Sequence, residues 1–271
     1  LANATYYYRI MATNIIGDTT IYPAPAVGFP YMTVNSTPSN TAISPPSSRI
    51  TTIGTVRNGV FLLRNSNTAG NADLTFAYGN TGDTPVTGDW NADGVTTIGT
   101  RRNGIFNLRN SNSAGTADIT FTFGNPTDIP VTGDWNGDGI TTIGTYRNGT
   151  FFLRNSNSAG PADLTFNFGN PTDKPITGDW NGDGVTTIGT VRNGVFLLRN
   201  TNSAGNADTT FAFGNTGDAP VTGDWNGDGV TTIGSYRNGV FLLRNTNSAG
   251  NADLTFAFGT SGSIPITGKW V

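Results

Sequence analysis

Apolar positions fall in short runs separated by breaks rich in Gly, Asn and Ser, and the runs recur along most of the chain. "TTIGTVR" and "VFLLRN" flank Asn58-Gly59. An Asn-Gly pair between two apolar runs predicts a two-residue hairpin, because both residues accept positive φ. In "DLTFAYG", Leu74, Phe76 and Tyr78 alternate with Thr75 and Ala77, the pattern of a half-exposed strand. "VFLL" is apolar on both faces, which suits a strand in the middle of a small sheet packed between two neighbours. "TPVTGDW" supplies a fourth strand with Pro85 at its start, a place where the missing amide is tolerated.

Aligning "TTIG" at Thr51, Thr96, Thr141, Thr186 and Thr231 gives five copies at a constant 45-residue step, which marks a repeat architecture. Asn-Gly recurs at Asn103, Asn148, Asn193 and Asn238. The first copy, starting at Arg49, lacks its own "PVTGDW" strand, and the C-terminus carries one spare, "PITGKWV", at Pro265 to Val271. The two fragments complete one unit. A ring that builds one blade from both ends uses this complementarity and hides sheet edges, whereas an open stack has no use for it. The sequence therefore predicts an all-β, five-bladed β-propeller over residues 49–271, with four-stranded blades and the C-terminal strand paired into the first.

The run "FGN" at Phe168 to Asn170, followed by Pro-Ile-Thr-Gly-Asp-Trp and "NGDG", resembles the FG-GAP/VCBS propeller repeats of bacteria. The resemblance implies that the strand before the acidic loop is innermost, with Val86, Val131, Ile176, Val221 and Ile266 around a central channel. The N-terminus differs in kind. "LANATYYYRIMATNIIGDTT" resembles the F strand and following turn of a fibronectin type III domain, assigned to residues 1–36 without the strands that would complete its core. "VNSTPSNTAISPPSS" reads as a Pro/Ser/Thr linker over residues 37–48. That boundary is either a cut end or a pairing segment, through which residues 1–33 self-associate with another chain.

The acidic loops carry the candidate chemistry. Asp-x-Asn-x-Asp-Gly places oxygen ligands at positions 1, 3 and 5, a glycine at 6 and a backbone carbonyl at 7, as in oxygen-rich calcium loops. The four sets are Asp89, Asn91, Asp93 and Val95; Asp134, Asn136, Asp138 and Ile140; Asp179, Asn181, Asp183 and Val185; and Asp224, Asn226, Asp228 and Val230. At position 9 stand Thr97, Thr142, Thr187 and Thr232, where the resembled family carries an acid, and no Glu follows. Two carboxylates per loop predict weak Ca2+ binding, toward the roughly millimolar range. The competing reading is a metal-free turn in which Asp and Asn cap backbone amides. At the seam Lys269 replaces the first Asp, so four sites are the maximum.

Composition narrows the function. The chain has no Cys and no His and, read through, no Glu, which removes thiol, imidazole and Cys/His zinc chemistry. With 15 Lys and Arg against 18 acids, the net charge is −3. That balance argues against nucleic acid, which needs clustered cations. No apolar run reaches the roughly 18 residues of a membrane helix, so membrane insertion is not expected. A chain opening on Leu1 without a signal segment reads as a processed product or a fragment.

Trp90, Trp135, Trp180, Trp225 and Trp270 either stack on sugars or pack between blades, and recurrence at one strand position favours packing. Arg64, Arg109, Arg154, Arg199 and Arg244 either hold a ligand carboxylate or pair with an Asp such as Asp73, and the structural pair is the one expected. Tyr146 and Tyr236 stand where other copies have Val56, Arg101 and Val191, and variability there predicts an exposed position. The function expected first is a non-catalytic extracellular or cell-surface module for binding or adhesion, with equivalent pockets between blades giving avidity for a repeating ligand such as a glycan. The alternative is a structural subunit of an extracellular filament or surface assembly joined through its N-terminal strands. A propeller glycosidase is the remote third, because fivefold copying supplies no asymmetric acid pair.

Overall fold

The computed structural model describes residues 50–271. The fibronectin-like strands expected at 1–36, the linker at 37–48 and self-association through 1–33 lie outside the described residues. All twenty elements of the described chain are β-strands. The first blade holds β1 (Thr52–Arg57), β2 (Val60–Leu63) and β3 (Leu74–Ala77), and the second β4 (Thr84–Gly88), β5 (Thr97–Arg102), β6 (Ile105–Leu108) and β7 (Ile119–Thr122). The third runs through β8 (Ile129–Gly133), β9 (Thr142–Arg147), β10 (Thr150–Leu153) and β11 (Leu164–Asn167), and the fourth through β12 (Lys174–Gly178), β13 (Thr187–Arg192), β14 (Val195–Leu198) and β15 (Thr209–Ala212). The fifth has β16 (Ala219–Gly223), β17 (Thr232–Arg237), β18 (Val240–Leu243) and β19 (Leu254–Ala257), after which β20 (Ile264–Gly268) returns to the first blade.

Each sheet is antiparallel, and the first reads β20-β1-β2-β3. The C-terminal strand is thus the inner strand of the first blade, in register from Thr52 opposite Gly268 to Val56 opposite Ile264. The inner strands β4, β8, β12, β16 and β20 touch one another in a closed ring, and Pro85, Val86, Thr87 and their counterparts surround a central cavity of about 220 Å³. Asn58 and Gly59 have φ of 53° and 77°, the paired positive values a tight hairpin turn requires.

Two sets of bonds close the ring. Thr87 Oγ1 donates to the Thr267 carbonyl, Thr132 to Thr87, Thr177 to Thr132, Thr222 to Thr177 and Thr267 to Thr222, at 2.8–3.0 Å. The amides of Thr51, Thr96, Thr141, Thr186 and Thr231 each donate at 2.7 Å to the residue after the preceding blade's inner strand, respectively Asp224, Lys269, Asp89, Asp134 and Asp179. The close approach excludes side chains at Gly88, where an added Cβ would run into the Trp90 ring and the Thr141 methyl.

The core lies between blades. The isoleucine of each "TTIG" is fully buried and enters the preceding blade's cluster: Ile143 joins Val86, Trp90, Phe106, Leu108, Phe121 and Phe123. Ile53 closes the circle against the fifth blade. Burying an Ile in this way is worth roughly 1.5–3 kcal/mol. The five tryptophans are at most 7% exposed, and Trp90 Nε1 donates to the Ile98 carbonyl at 3.3 Å, so they pack between blades. No helix among the described residues is long and apolar enough to cross a membrane.

Deleting residues 264–271 strips the inner strand from the first blade and opens the Thr222–Thr267–Thr87 link. The expected cost is several kcal/mol, read as a lower denaturant midpoint; a truncated chain that unfolds with the intact one refutes the ring. Thr132→Val removes a single hydroxyl link and is expected to cost about 1 kcal/mol in the same measurement.

Candidate functional site

The two faces of the ring carry different chemistry. The acidic loops join each inner strand to the next, at one end of the blades; the Asn-Gly hairpins and the starts of the inner strands lie at the other.

In the first acidic loop, the Asp89 carboxylate accepts from the amides of Asp93 at 3.1 Å and Gly94 at 2.7 Å. Asp93 Oδ1 accepts from the Val95 amide at 2.8 Å and its Oδ2 from Asn91 Nδ2 at 3.0 Å. Asp134, Asn136, Asp138 and Ile140 repeat this, as do Asp179, Asn181, Asp183 and Val185. Asp224, Asn226, Asp228 and Val230 form the fourth copy. The structure therefore brings the two Asp and the Asn of each loop together. The Ile140 and Val185 amides, and then Asn136 and Asn181, hold the Asp138 and Asp183 carboxyls below the usual range. Among the described residues no group of three or more acids converges on one point, so a cation would meet two carboxylates per loop and whatever lone pairs the amides leave free. Ala92 holds a φ of 59° where the other loops have Gly137, Gly182 and Gly227, a left-handed conformation that costs a side chain roughly 1–2 kcal/mol.

The expected pairing of Arg64 with Asp73 does not form. Arg64 is enclosed by its own loop, donating to the carbonyls of Thr68, Ala69 and Asn71, while Asp73 accepts from the Asn65 amide at 2.7 Å. Both groups close one loop separately; Arg154, Arg199 and Arg244 repeat the arrangement, and Arg109 repeats it without the bond from its Nε. The ion pairs among the described residues lie elsewhere: Arg102 with Asp83, Arg147 with Asp128 at 3.6 Å, Arg192 with Asp173 at 2.7 Å and Arg237 with Asp218 at 2.6 Å. Burial pushes the Asp218 carboxyl up, but hydrogen bonds from Arg237 and the Asn215 amide outweigh it, leaving the carboxyl below its usual range.

The hairpin face carries the clefts between blades. Tyr146 and Tyr236, predicted to be exposed, are buried at 1% and 5%. Each ring fills its cleft, 4.7 Å from Phe151 or Phe241. Tyr146 Oη donates to the Asn170 carbonyl at 2.6 Å, and Tyr236 Oη to the Thr260 carbonyl at 3.1 Å. Burial pushes the Tyr146 phenol up to about 12. Arg101 takes the same position in the second blade, donating to the Asn125 and Asp128 carbonyls, both at 2.6 Å. Variability in this column marks which clefts are filled from within, not which residues face solvent.

The clefts are consequently not equivalent. Between the second and third blades a cavity of about 310 Å³ lies over Arg101 and reaches no aromatic ring. Between the fourth and fifth, Val191 is too short to fill the space, and a cavity of about 250 Å³ reaches down to Phe196 and Phe213. Ser235 lines that cavity at a position where the other copies have Thr55, Thr100, Thr145 and Thr190, so one wall is a methyl group smaller. Lys174 stands on the rim, its Nζ donating to the Asp218 carbonyl at 2.7 Å. Val191, Ser235 and Lys174 were not singled out from the sequence as site residues. The signal was present as three positions that vary between copies, 17 to 61 apart, which only the fold brings to one cleft.

Tyr146→Phe removes the bond to Asn170 and is expected to cost about 1 kcal/mol at neutral pH. In the alkaline range the native state keeps the Tyr146 proton while the unfolded chain has lost it, so stability falls as pH rises from about 10 to about 12. Tyr146→Phe should flatten that fall, as followed by urea midpoints across the range. Ala92→Gly relieves the left-handed strain and is expected to stabilise the fold by about 1 kcal/mol, read as a higher urea midpoint.

No protein-family model matches the chain, and no curated protein matches it. Among solved structures it is similar to a lectin of Agrocybe aegerita described in terms of specific recognition of non-reducing terminal N-acetylglucosamine, with 16% identity and a TM-score of 0.44. The match covers 77% of this chain and 64% of that one, so the chain spans less than two thirds of the lectin's length. A likeness of this degree carries no argument about ligand, and the resemblance to FG-GAP/VCBS repeats rests on the quoted motifs alone.

Proposed function

We propose that the protein is a non-catalytic binding module of an extracellular or cell-surface system, engaging its ligand through the hairpin face. One observation carries this reading: the concavity between the fourth and fifth blades, apolar at its base and polar at its rim, set in a frame closed by bonds through every blade. A few convergent polar groups over an apolar floor are the general form of a ligand site. The rim offers backbone carbonyls and the Lys174 ammonium, groups that suit a hydroxyl-bearing ligand such as a surface glycan, while the Asp218 carboxylate is held by Arg237 and the Asn215 amide. The expected fivefold avidity gives way to a face with clefts of different depth, because Arg101, Tyr146 and Tyr236 occupy theirs. A structural role in a surface assembly is the second reading, for which the described residues supply no contact. Glycan-array binding that survives Asp89→Ala and falls with Lys174→Ala is the expected result, and an empty array removes the glycan reading.

Weak calcium at the acidic loops belongs to the same proposal, with Asp89, Asn91 and Asp93 and their three counterparts as ligands and rigidity of that face as its consequence. Its support is the clustering of two carboxylates and a carboxamide in each exposed loop. Calcium at ten times its dissociation constant is expected to stabilise the fold by about 1.4 kcal/mol per site, seen as a higher melting temperature than in chelator. Superimposed melts leave the loops as metal-free turns.

A further inference from the structure

We propose that the cleft between the fourth and fifth blades is a site for a phenolic ring, which enters with its hydroxyl toward the Asn215 carbonyl. The inference rests on the hairpin face being the binding face and names the chemistry of the cleft over Phe196 and Phe213.

The neighbouring clefts display the occupant. In the cleft between the third and fourth blades, the Tyr146 ring lies against Phe151 and its hydroxyl reaches the Asn170 carbonyl. Between the fifth and first, Tyr236 repeats both contacts with Phe241 and Thr260. Asn215 occupies the place of Asn170, one repeat on. Each of these carbonyls accepts from the amide three residues later: Asp173 to Asn170 at 3.0 Å and Asp218 to Asn215 at 3.2 Å. A carbonyl has two lone pairs. At Asn170 the second goes to the tyrosine; at Asn215 no further hydrogen bond is formed among the described residues, and the space in front of it is open because Val191 replaces the tyrosine.

The walls agree with that assignment. Phe196 and Phe213 meet edge to face at 6.3 Å and 66°, and Phe196 lies where Phe151 carries Tyr146. A flat ring completes this aromatic cluster, and its single hydroxyl has a single open acceptor to meet. Val191 and Ser235 each remove atoms from the same cleft, giving the ring more room than Tyr146 has. The cleft between the first and second blades shares a valine, Val56, but keeps Thr100 at the Ser235 position and has Tyr78 in place of Phe213.

The test is titration of the whole chain with p-cresol, N-acetyl-tyrosinamide, toluene and a methyl glycoside, followed by calorimetry and by amide shifts of the 213–220 segment. p-Cresol is expected to bind, and toluene at least tenfold more weakly because it cannot reach Asn215. Val191→Tyr should fold, melt higher and lose p-cresol at least tenfold. Tyr236→Val should gain one p-cresol site over the parent, and Tyr146→Val provides the same gain if Tyr236→Val does not fold. Binding of N-acetyl-tyrosinamide as well as p-cresol assigns the site to a tyrosine side chain of a partner; p-cresol alone assigns it to a small free phenol. Absence of p-cresol binding, p-cresol binding unchanged in Val191→Tyr, or a glycoside displaced by Val191→Tyr in its place overturns the inference. The array result is independent: glycan binding without p-cresol removes this inference alone, and p-cresol without any glycan removes the glycan reading alone.

Discussion

The closure of the ring is the constraint on which the rest of the structure depends. Each blade is a sheet of four short strands with a core too thin to be stable alone, because its largest apolar groups point at its neighbours. Ile53, Ile98, Ile143, Ile188 and Ile233 are each fully buried in the cluster of the blade before. Such a scheme leaves one blade without a neighbour unless the chain returns, and β20 is that return. The threonine hydroxyls add one directed bond per junction. Their contribution is modest singly, but they fix the angular spacing that lets each isoleucine meet its cluster.

Rigid closure also explains where variation is permitted. A residue such as Trp90 or Gly88 touches two blades at close range, so a change there disturbs a junction. The position of Val56, Arg101, Tyr146, Val191 and Tyr236 lies at the hairpin end, where the wedge between blades widens enough to hold a valine, a guanidinium or a phenol. Arg101 is tolerated although burial pulls its basicity below normal, because the guanidinium meets the Asn125 and Asp128 carbonyls. The tyrosine hydroxyls and the two terminal nitrogens of Arg101 keep a partner at this position, in each case a loop carbonyl of the cleft.

The acidic loops show the opposite economy of design. Their carboxylates do for the loop what a strand partner does for a strand, accepting the amides of a sharp turn that has no ladder to join. The spacing that suggests a cation and the spacing that closes an Asx-type turn are the same, since both require oxygen atoms folded back on one short loop. The repeat therefore keeps these residues for a structural reason whether or not an ion joins them.

Blade number, strand order and the closing role of Pro265 to Val271 were legible in the sequence, since a period of 45 residues, Asn-Gly turns and complementary ends are local or countable signals. So were the burial of the tryptophans and the gathering of Asp, Asn and Asp in each loop, which lie within a few residues of one another. The partner of Arg64 was not legible: Asp73 is near in sequence and of the right charge, yet the loop's own carbonyls surround the guanidinium first. Nor was the cleft at Val191. Its walls come from Lys174, Phe196, Asn215 and Ser235 on two blades; Phe196 and Asn215 are the repeat's usual residues there, and Lys174 and Ser235 are small differences within their own copies. Local hydrogen bonding and apolar periodicity determine a strand or a turn from neighbouring residues, whereas the depth of a cleft is set by side chains that meet only after the ring has closed.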